Sequence, residues 1–259
     1  MTDTQTHDQR VGELVRPPAR RVLWFAAGAT ALLLAADLGT RAYNHYDSIP
    51  TVRRLVNVDV EANLATWWNS TLLLAVAGVA LIAALLSGRD ARPGRLSWLG
   101  LAAATALLSI DETVSLHERL GEVGRSWKDW AGGALPTHAW VLPGALLAAA
   151  GTVCAVLWAR KLPRDLRNGV LGALGVYLGG ALVTEAFNGW ALENGYSVVL
   201  MLGTLVEEGL EMSGCIVALA VLSRYVIFER DPASGRAAVR LRGDQAPAGP
   251  RTSGVPERP

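Results

Sequence analysis

Long apolar runs separated by short polar connections dominate the chain between residues 20 and 225. A helix needs roughly 20 mainly apolar residues to cross the hydrocarbon core of a bilayer, which is about 30 Å thick. Runs of that kind recur at about 22–43, 66–87, 97–118, 139–159, 168–190 and 198–224. The pattern therefore predicts an all-α fold, a polytopic membrane bundle of six transmembrane helices.

The basic residues of the connections predict how the bundle is oriented. Arginine and lysine collect in both tails and in the loops at 89–95 and 160–167. The connections at 44–65, 119–138 and 191–197 are mixed or acidic. Because positively charged loops stay on the cytoplasmic side, both termini are predicted to be cytoplasmic. We expect a multi-pass protein of the plasma membrane.

The ends of the chain differ from its centre in composition. Residues 1–20 are polar, and residues 229–259 are rich in arginine, proline and glycine. Such segments cannot bury enough apolar surface to offset the entropy of ordering, so both are predicted to be disordered tails around a transmembrane domain at 21–225. A cleaved signal peptide is the competing interpretation of the first run, which however continues into Asp37 without an obvious small-residue cleavage site.

Composition agrees with a membrane protein and excludes one class of partner. The chain is 51% hydrophobic and 18% charged, with a mean hydropathy of +0.27. Its net charge is only +1, and no basic helix face is interleaved with aromatic residues, so no nucleic acid partner is expected. The expected partner is the lipid bilayer, and the oligomeric state is left open.

Acidic residues interrupt the apolar runs. The stretch TLVEEGLEMSG at 204–214 carries Glu207, Glu208 and Glu211. Helical spacing of about 100° per residue places these three on one face with Thr204 and Cys215. The fifth run carries Tyr177, Thr184, Glu185 and Asn188 within a similar arc, and the first run carries Asp37. These polar residues all fall in the outer half of the predicted bundle.

The third run has two interpretations because its apolar part, Trp98 to Ile110, is too short to span. A spanning helix must continue through DETVSLHE at 111–118, which would place Asp111, Glu112, His117 and Glu118 inside the membrane. Alternatively, the helix ends at Ile110 and DETVSLHE forms an interfacial turn. The motif lies on the outer side in both cases.

The buried acids outnumber the basic residues at their depth. Each ionised side chain near the bilayer centre costs about 2.5–3.5 kcal/mol. The basic partners at that depth are Arg41, Arg119 and His117, and Asp37 with Arg41 has the spacing of a local ion pair. The remaining carboxylates must be balanced by protons, by a bound cation or by water in an open cavity.

A divalent metal is the most economical counter-charge. Carboxylates with a single histidine favour Mn²⁺, Fe²⁺, Ca²⁺ or Mg²⁺, whereas catalytic zinc usually takes two or three histidines. Only one of the four histidines lies within the cluster, so a three-histidine zinc site is not expected. The predicted metal ligands are Asp111, His117, Glu118, Glu185, Glu208 and Glu211. The predicted proton-carrying or supporting residues include Glu112, Asn188, Glu207 and Asp37.

Structural roles remain open for several of these residues. A single glutamate of the sixth run could serve a structural hydrogen bond, and His117 could be an ordinary interfacial histidine. His45 and His138 lie in outer connections and are expected to be solvated. Tryptophans near the ends of the runs are expected to form an aromatic belt at the headgroups. These are Trp67, Trp68, Trp98, Trp127, Trp130, Trp140 and Trp190.

Three segments carry a resemblance to other proteins. EANLATWWNS (61–70), LLSIDETVSLHERLG (107–121) and LVEEGLEMSG (205–214) resemble those of a loosely defined group of uncharacterised bacterial six-span integral membrane proteins. The resemblance implies no activity, and the usual proline of the first segment is Ala65 here. It adds Glu61, Asn63 and Trp67 as neighbours of the site, with Glu61 among the supporting residues. Asp59 and Glu61 could equally be solvated residues before a helix.

Three functions fit these observations. One is a membrane-embedded metalloenzyme acting on a lipid or another outer-leaflet substrate. Another is a cation- or proton-coupled transporter or ion-binding protein, although broken helices and inverted repeats are not evident in the sequence. The third is a structural subunit of a membrane complex. The sequence does not identify the substrate.

Overall fold

The computed structural model describes residues 19–43, 50–88, 91–130, 137–230 and 237–242, which are mainly helical. The helices are α1 Ala19–Tyr43, α2 Pro50–Val56, α3 Leu64–Leu86, α4 Arg95–Val114, α5 Leu116–Arg119, α6 Gly121–Trp130, α7 Val141–Ala159, α8 Arg164–Leu178, α9 Glu185–Glu193 and α10 Ser197–Leu222, with a π-helical segment, Gly179–Thr184, between α8 and α9. Strands β1 Val226–Arg230 and β2 Ala237–Leu241 form an antiparallel hairpin.

Several helices suit a membrane. Four helical stretches within the described residues are long and apolar enough to cross one: Arg20–Tyr43, Leu64–Leu86, Val141–Ala159 and Arg164–Glu193. A fifth candidate is the pair Arg95–Val114 and Leu116–Trp130, which is bent by 74°. The helical membrane architecture is thus supported. Helix α10 is long enough to span with 26 residues, but its three glutamates keep it out of these candidates. Six spans with cytoplasmic termini therefore stay a prediction.

Helix α10 lies at the centre of the bundle, where it packs against α1, α3, α8, α9 and the π-helical segment. Two glycines allow close approach of neighbouring backbone. A Cβ atom at Gly180 would lie 2.6 Å from the Glu207 carbonyl oxygen and 2.9 Å from Glu211 Cγ. One at Gly214 would lie 2.8 Å from the Tyr177 backbone nitrogen. Helix α10 therefore contacts the π-helical segment closely at Glu207 and Glu211.

The third predicted span is not one continuous helix. Helix α4 ends at Val114, and Ser115 adopts a left-handed conformation with φ 51° and ψ 49°. The helix therefore continues past Ile110 but does not run through Glu118, so neither interpretation of this segment was correct. With 20 residues, α4 is about 30 Å long, which is about the thickness of the hydrocarbon core, but it is a candidate span only together with Leu116–Trp130.

One end of the bundle is closed by aromatic packing. Trp98 is only 1% exposed and makes ring contacts of 5.3 Å between centroids with both Trp158 and Tyr225. Leu241 of β2 joins the same apolar cluster. Trp98 was expected in an aromatic belt and is a core residue instead. Part of the tail predicted to be disordered, 229–259, forms β2 and the end of β1.

Candidate functional site

The segment before α3 and the short helix α5 bring three potential metal ligands together at the other end of the bundle. One ligand atom each from Glu61, His117 and Glu118 lies within 4.8 Å of the other two. Glu61 precedes α3, and the other two residues belong to α5. We call this group the outer triad. His117 and Glu118 were predicted as ligands, whereas Glu61 was expected only as a supporting neighbour.

The backbone around the outer triad has unusual conformations. Ala62 (φ 59°) and Ser115 (φ 51°) are left-handed although neither is glycine, a conformation that costs energy and often accompanies functional sites. The Ser115 side chain lies close to Glu61. The Asn63 Oδ1 atom accepts the backbone N–H groups of Ala65 and Thr66 at 2.8 and 3.2 Å, which caps α3. Capping fixes the loop that presents Glu61.

Asp111 holds His117 in place. Its Oδ1 atom accepts the His117 backbone N–H at 2.7 Å, and its Oδ2 atom lies 3.1 Å from the ring Nδ1. A carboxylate on one ring nitrogen fixes the tautomer and leaves Nε2 available to a metal. The His117 ring also packs on Trp140, with 4.7 Å between centroids. Asp111, predicted as a ligand, instead occupies a position that orients the histidine.

A second group of carboxyls lies deeper, between α3, α4 and α10. Asn69 Nδ2 donates to Glu211 Oε2 at 3.2 Å, and the Asn69 side chain also lies close to Glu112. Glu208 lies within electrostatic range of both carboxyls. We call Asn69, Glu112, Glu208 and Glu211 the inner chamber. The structure therefore groups two of the predicted ligands, Glu208 and Glu211, apart from the outer triad.

A third group joins α9 to α10. Asn188 Nδ2 donates to Glu207 Oε2 at 2.7 Å, and the Glu185 and Glu207 carboxyls lie close to each other. Trp140 Nε1 donates to Glu185 Oε1 at 3.0 Å, and His138 Nε2 lies 3.8 Å from the same oxygen. Glu185, predicted as a metal ligand, is thus bonded to protein partners.

Several contacts were missed by sequence reasoning. Trp140 was assigned to the aromatic belt and His138 to solvent, yet both contact Glu185 and are only partly exposed. Asn69 was not singled out, although it falls within EANLATWWNS. A polar residue directly after two tryptophans in an apolar run was the available signal. His45 lies outside the described residues.

Asp37 is separate from these groups. Its Oδ2 atom pairs with Arg41 Nε at 2.7 Å, which confirms the expected ion pair. Arg41 Nη2 in turn donates to Asn57 Oδ1 at 2.8 Å, so this pair ties α1 to the segment after α2. The structure does not place Asp37 with the glutamates, as the predicted supporting role would require.

The electrostatics of the outer triad favour a cation. Glu61 is exposed at the surface, but partial removal of its carboxyl from water raises the pKa above the usual 4.5, while the neighbouring His117 opposes that shift. Glu118 and Asp111 also raise this pKa, because like charges disfavour ionisation. A metal ion at this point would relieve the repulsion. Two carboxylates and one imidazole nitrogen are a chemically suitable ligand set.

Comparison with known proteins assigns the chain to a family. No curated protein matches the chain, and no solved structure does. One family model, described as a domain of unknown function (DUF8692), matches residues 22–226. The match includes α2 to α10, nearly all of α1 and every residue of the three polar groups. The chain therefore belongs to the DUF8692 family.

Proposed function

We propose that the chain is a six-span plasma membrane protein that binds a divalent cation at the outer triad, on the extracytoplasmic side. The main support for this site is that ligand atoms of Glu61, His117 and Glu118 lie within 4.8 Å of one another. In addition, Asp111 contacts Nδ1 of the histidine and leaves Nε2 for a metal. The single imidazole favours Mn²⁺ or Fe²⁺ over Ca²⁺ or Mg²⁺ at this position.

The proposed topology has support from the distribution of charge. Six spans would be α1, α3, α4, α7, α8 with α9, and α10, with both termini cytoplasmic. Exposed basic residues flank the aromatic end of the bundle: Arg92, Arg95, Arg160, Lys161, Arg164 and Arg224. Positive loops mark the cytoplasmic side, so the outer triad at the opposite end faces outwards.

Helix α6 suits a position in the outer membrane interface. Its apolar residues Val123, Trp127 and Trp130 share one face and are exposed, with Trp130 92% exposed. Arg125 and Lys128 lie on the other side of the helix. Helices with this division lie in the plane of the headgroup region. The outer triad would then open beside the lipid headgroups.

A metal ion at this site, beside the lipid headgroups, could assist a reaction of an amphiphilic substrate. Three protein ligands leave coordination positions for water and for a substrate oxygen, as in catalytic metal sites. We therefore propose a membrane-embedded metalloenzyme acting on an outer-leaflet lipid. Transport, the other main hypothesis, is less favoured because Trp98, Trp158 and Tyr225 fill the end of the bundle through which a cation would leave.

Cation binding is tested by thermal unfolding of the detergent-solubilised protein after chelation. Mn²⁺ or Fe²⁺ should raise the melting temperature of the parent, because a ligand that binds only the folded state stabilises it. Glu118→Gln should lose most of that increase. Glu122→Gln, an exposed glutamate on α6, is the matched control and should keep it. No increase in the parent would reject the proposed site.

Topology is tested separately by cysteine labelling in intact cells. Ser126→Cys and Gly88→Cys place thiols at exposed positions in the predicted outer and inner connections, in a parent lacking Cys154 and Cys215. An impermeant reagent should label only the first variant. Labelling of position 88 alone would reverse the proposed orientation.

A further inference from the structure

The inner chamber has features that the outer triad does not explain. Its carboxyls come from two helices, Glu112 on α4 and Glu208 and Glu211 on α10, and Asn69 reaches them from α3. Glu211 is buried, and Glu112 and Glu208 are partly buried. No lysine or arginine in the described part of the chain pairs with these carboxyls. Apart from His117, whose charge acts on Glu112, these carboxyls have no protein counter-charge among the described residues.

Asn69 supplies independent evidence for a ligand. The residue is 0% exposed, and its Oδ1 atom has no hydrogen-bond partner, while its Nδ2 atom is on Glu211. An unsatisfied buried acceptor costs about 1–3 kcal/mol, so such an atom normally has a role. A cation bound between Asn69 Oδ1 and the carboxyls would satisfy this acceptor and balance the acids together.

The position of Asn69 is set by the neighbouring helix contact. Ser70 Oγ donates to the Ser109 carbonyl oxygen at 3.0 Å, and Ser109 Oγ donates to the Ser70 carbonyl oxygen at 2.9 Å. These reciprocal bonds fix α3 against α4. Asn69 precedes Ser70 on α3, and Glu112 follows Ser109 by about one turn on α4. The serine bonds therefore hold both side chains at a similar height in the bundle. The amide is therefore preorganised beside the carboxyls.

We infer that the inner chamber is a second cation site, formed by Asn69, Glu112, Glu208 and Glu211 inside the membrane. Its ligands are all oxygen atoms, which select a hard divalent cation such as Ca²⁺ or Mg²⁺. Two carboxylates balance the ion and the third keeps its proton. The inner chamber does not depend on the outer triad, whose histidine suits a softer ion.

The experiment counts ions bound to the purified full-length protein. After chelation, the protein is equilibrated with Ca²⁺ and Mn²⁺ together, passed over a desalting column and analysed by elemental mass spectrometry. The parent should retain about two ions per chain, since two separate sites are filled. Glu208→Gln and Glu118→Gln should each retain about one. Glu122→Gln should match the parent.

The pattern of losses separates the two proposals. If Glu208→Gln lowers the number of retained ions and Glu118→Gln does not, the result supports the inner chamber as a cation site and rejects the outer triad. The reverse pattern rejects the inner chamber and leaves the outer triad standing. No retained ion in a folded parent, as judged by circular dichroism and gel filtration, rejects both sites.

A second variant guards against loss of fold. Asn69→Asp adds a carboxylate beside Glu211, so repulsion should lower the melting temperature in the presence of chelator. If a cation binds there, Ca²⁺ should raise the melting temperature of this variant more than that of the parent, because the added charge strengthens binding. An equal or smaller Ca²⁺ response would overturn the second site.

Discussion

The two ends of the bundle differ in the kind of side chain that they bury. We call them the aromatic end, around Trp98, and the polar end, around the carboxyls. The aromatic end buries Trp98 and Trp158 against Tyr225, with the hairpin adding Leu241. The polar end instead contains the carboxyls of the outer triad, the inner chamber and the Glu185–Glu207 pair, held by amide and indole donors. Apolar packing stabilises one end of the molecule, while the other concentrates groups that are costly to bury.

This difference indicates a division between stability and function. Residues whose burial is favourable belong to the fold, and their loss should weaken the whole bundle. Residues whose burial is unfavourable persist only if hydrogen bonds or a ligand offset the cost. Substitutions at the two ends should therefore separate unfolding from loss of cation binding.

The largest effect on stability is expected at the aromatic end. Trp98→Ala removes a nearly fully buried indole and should lower the free energy of unfolding by about 3–5 kcal/mol. Trp67→Ala, at a tryptophan that is 59% exposed, is the control and should cost much less. Unfolding titrations in mixed micelles measure both. Equal losses of unfolding free energy would mean that the aromatic end is not the stabilising core.

A smaller effect on binding is expected from Asp111→Asn. The substituted amide can still accept the His117 backbone N–H through its oxygen, but it no longer fixes the ring with a charge. Loss of such a supporting carboxylate typically lowers metal affinity by about 10–100-fold. Calorimetric titration with Mn²⁺ measures the change. An unchanged affinity would show that Asp111 does not orient His117 for a metal.

The packing of α9 against α10 should tolerate little added volume. A Cβ atom at Gly203 would collide with Asn188 Oδ1, so Gly203→Ala should displace this side chain from Glu207 and cost about 1–3 kcal/mol. Gly78→Ala is the control because its Cβ atom would meet no atom within 4 Å. Thermal unfolding compares the two. A neutral Gly203→Ala would contradict the Asn188–Glu207 contact.

The smallest expected effect concerns pH. The pKa of Glu61 is raised in the folded protein by removal from water, so the folded state binds its proton more tightly than the unfolded state. Without metal, the stability contributed by this proton is present below the unfolded pKa of about 4.5 and is lost as pH rises through the folded value. Glu61→Gln should remove that decline in melting temperature. An unchanged pH profile would contradict the shift.

The sequence predicted much of the helical framework because periodicity and length carry that information. The runs 22–43, 66–87 and 139–159 correspond closely to α1, α3 and α7. The ion pair of Asp37 with Arg41 also followed from spacing alone. These features depend on residues near one another in the chain, which local patterns describe well.

Other features depend on contacts that no local pattern specifies. The break after Val114 requires Asp111 to bond the His117 backbone, an alternative to helix continuation that propensity does not reveal. The π-helical segment alters the phase on which the face of Tyr177, Thr184, Glu185 and Asn188 was calculated. The hairpin had a usable signal, since DPASG at 231–235 is a turn-forming stretch between VIFER and AAVRL.

Elemental analysis of the full-length protein after gentle detergent extraction tests cation binding most directly. A folded preparation should contain Mn, Fe, Ca or Mg in an amount comparable to that of the protein. Its content should fall in a Glu61→Gln, Glu118→Gln double variant, which removes both carboxylates of the outer triad. A folded parent without stoichiometric metal, whose melting temperature no added divalent ion raises, would contradict the proposed site and leave protons to neutralise the carboxyls.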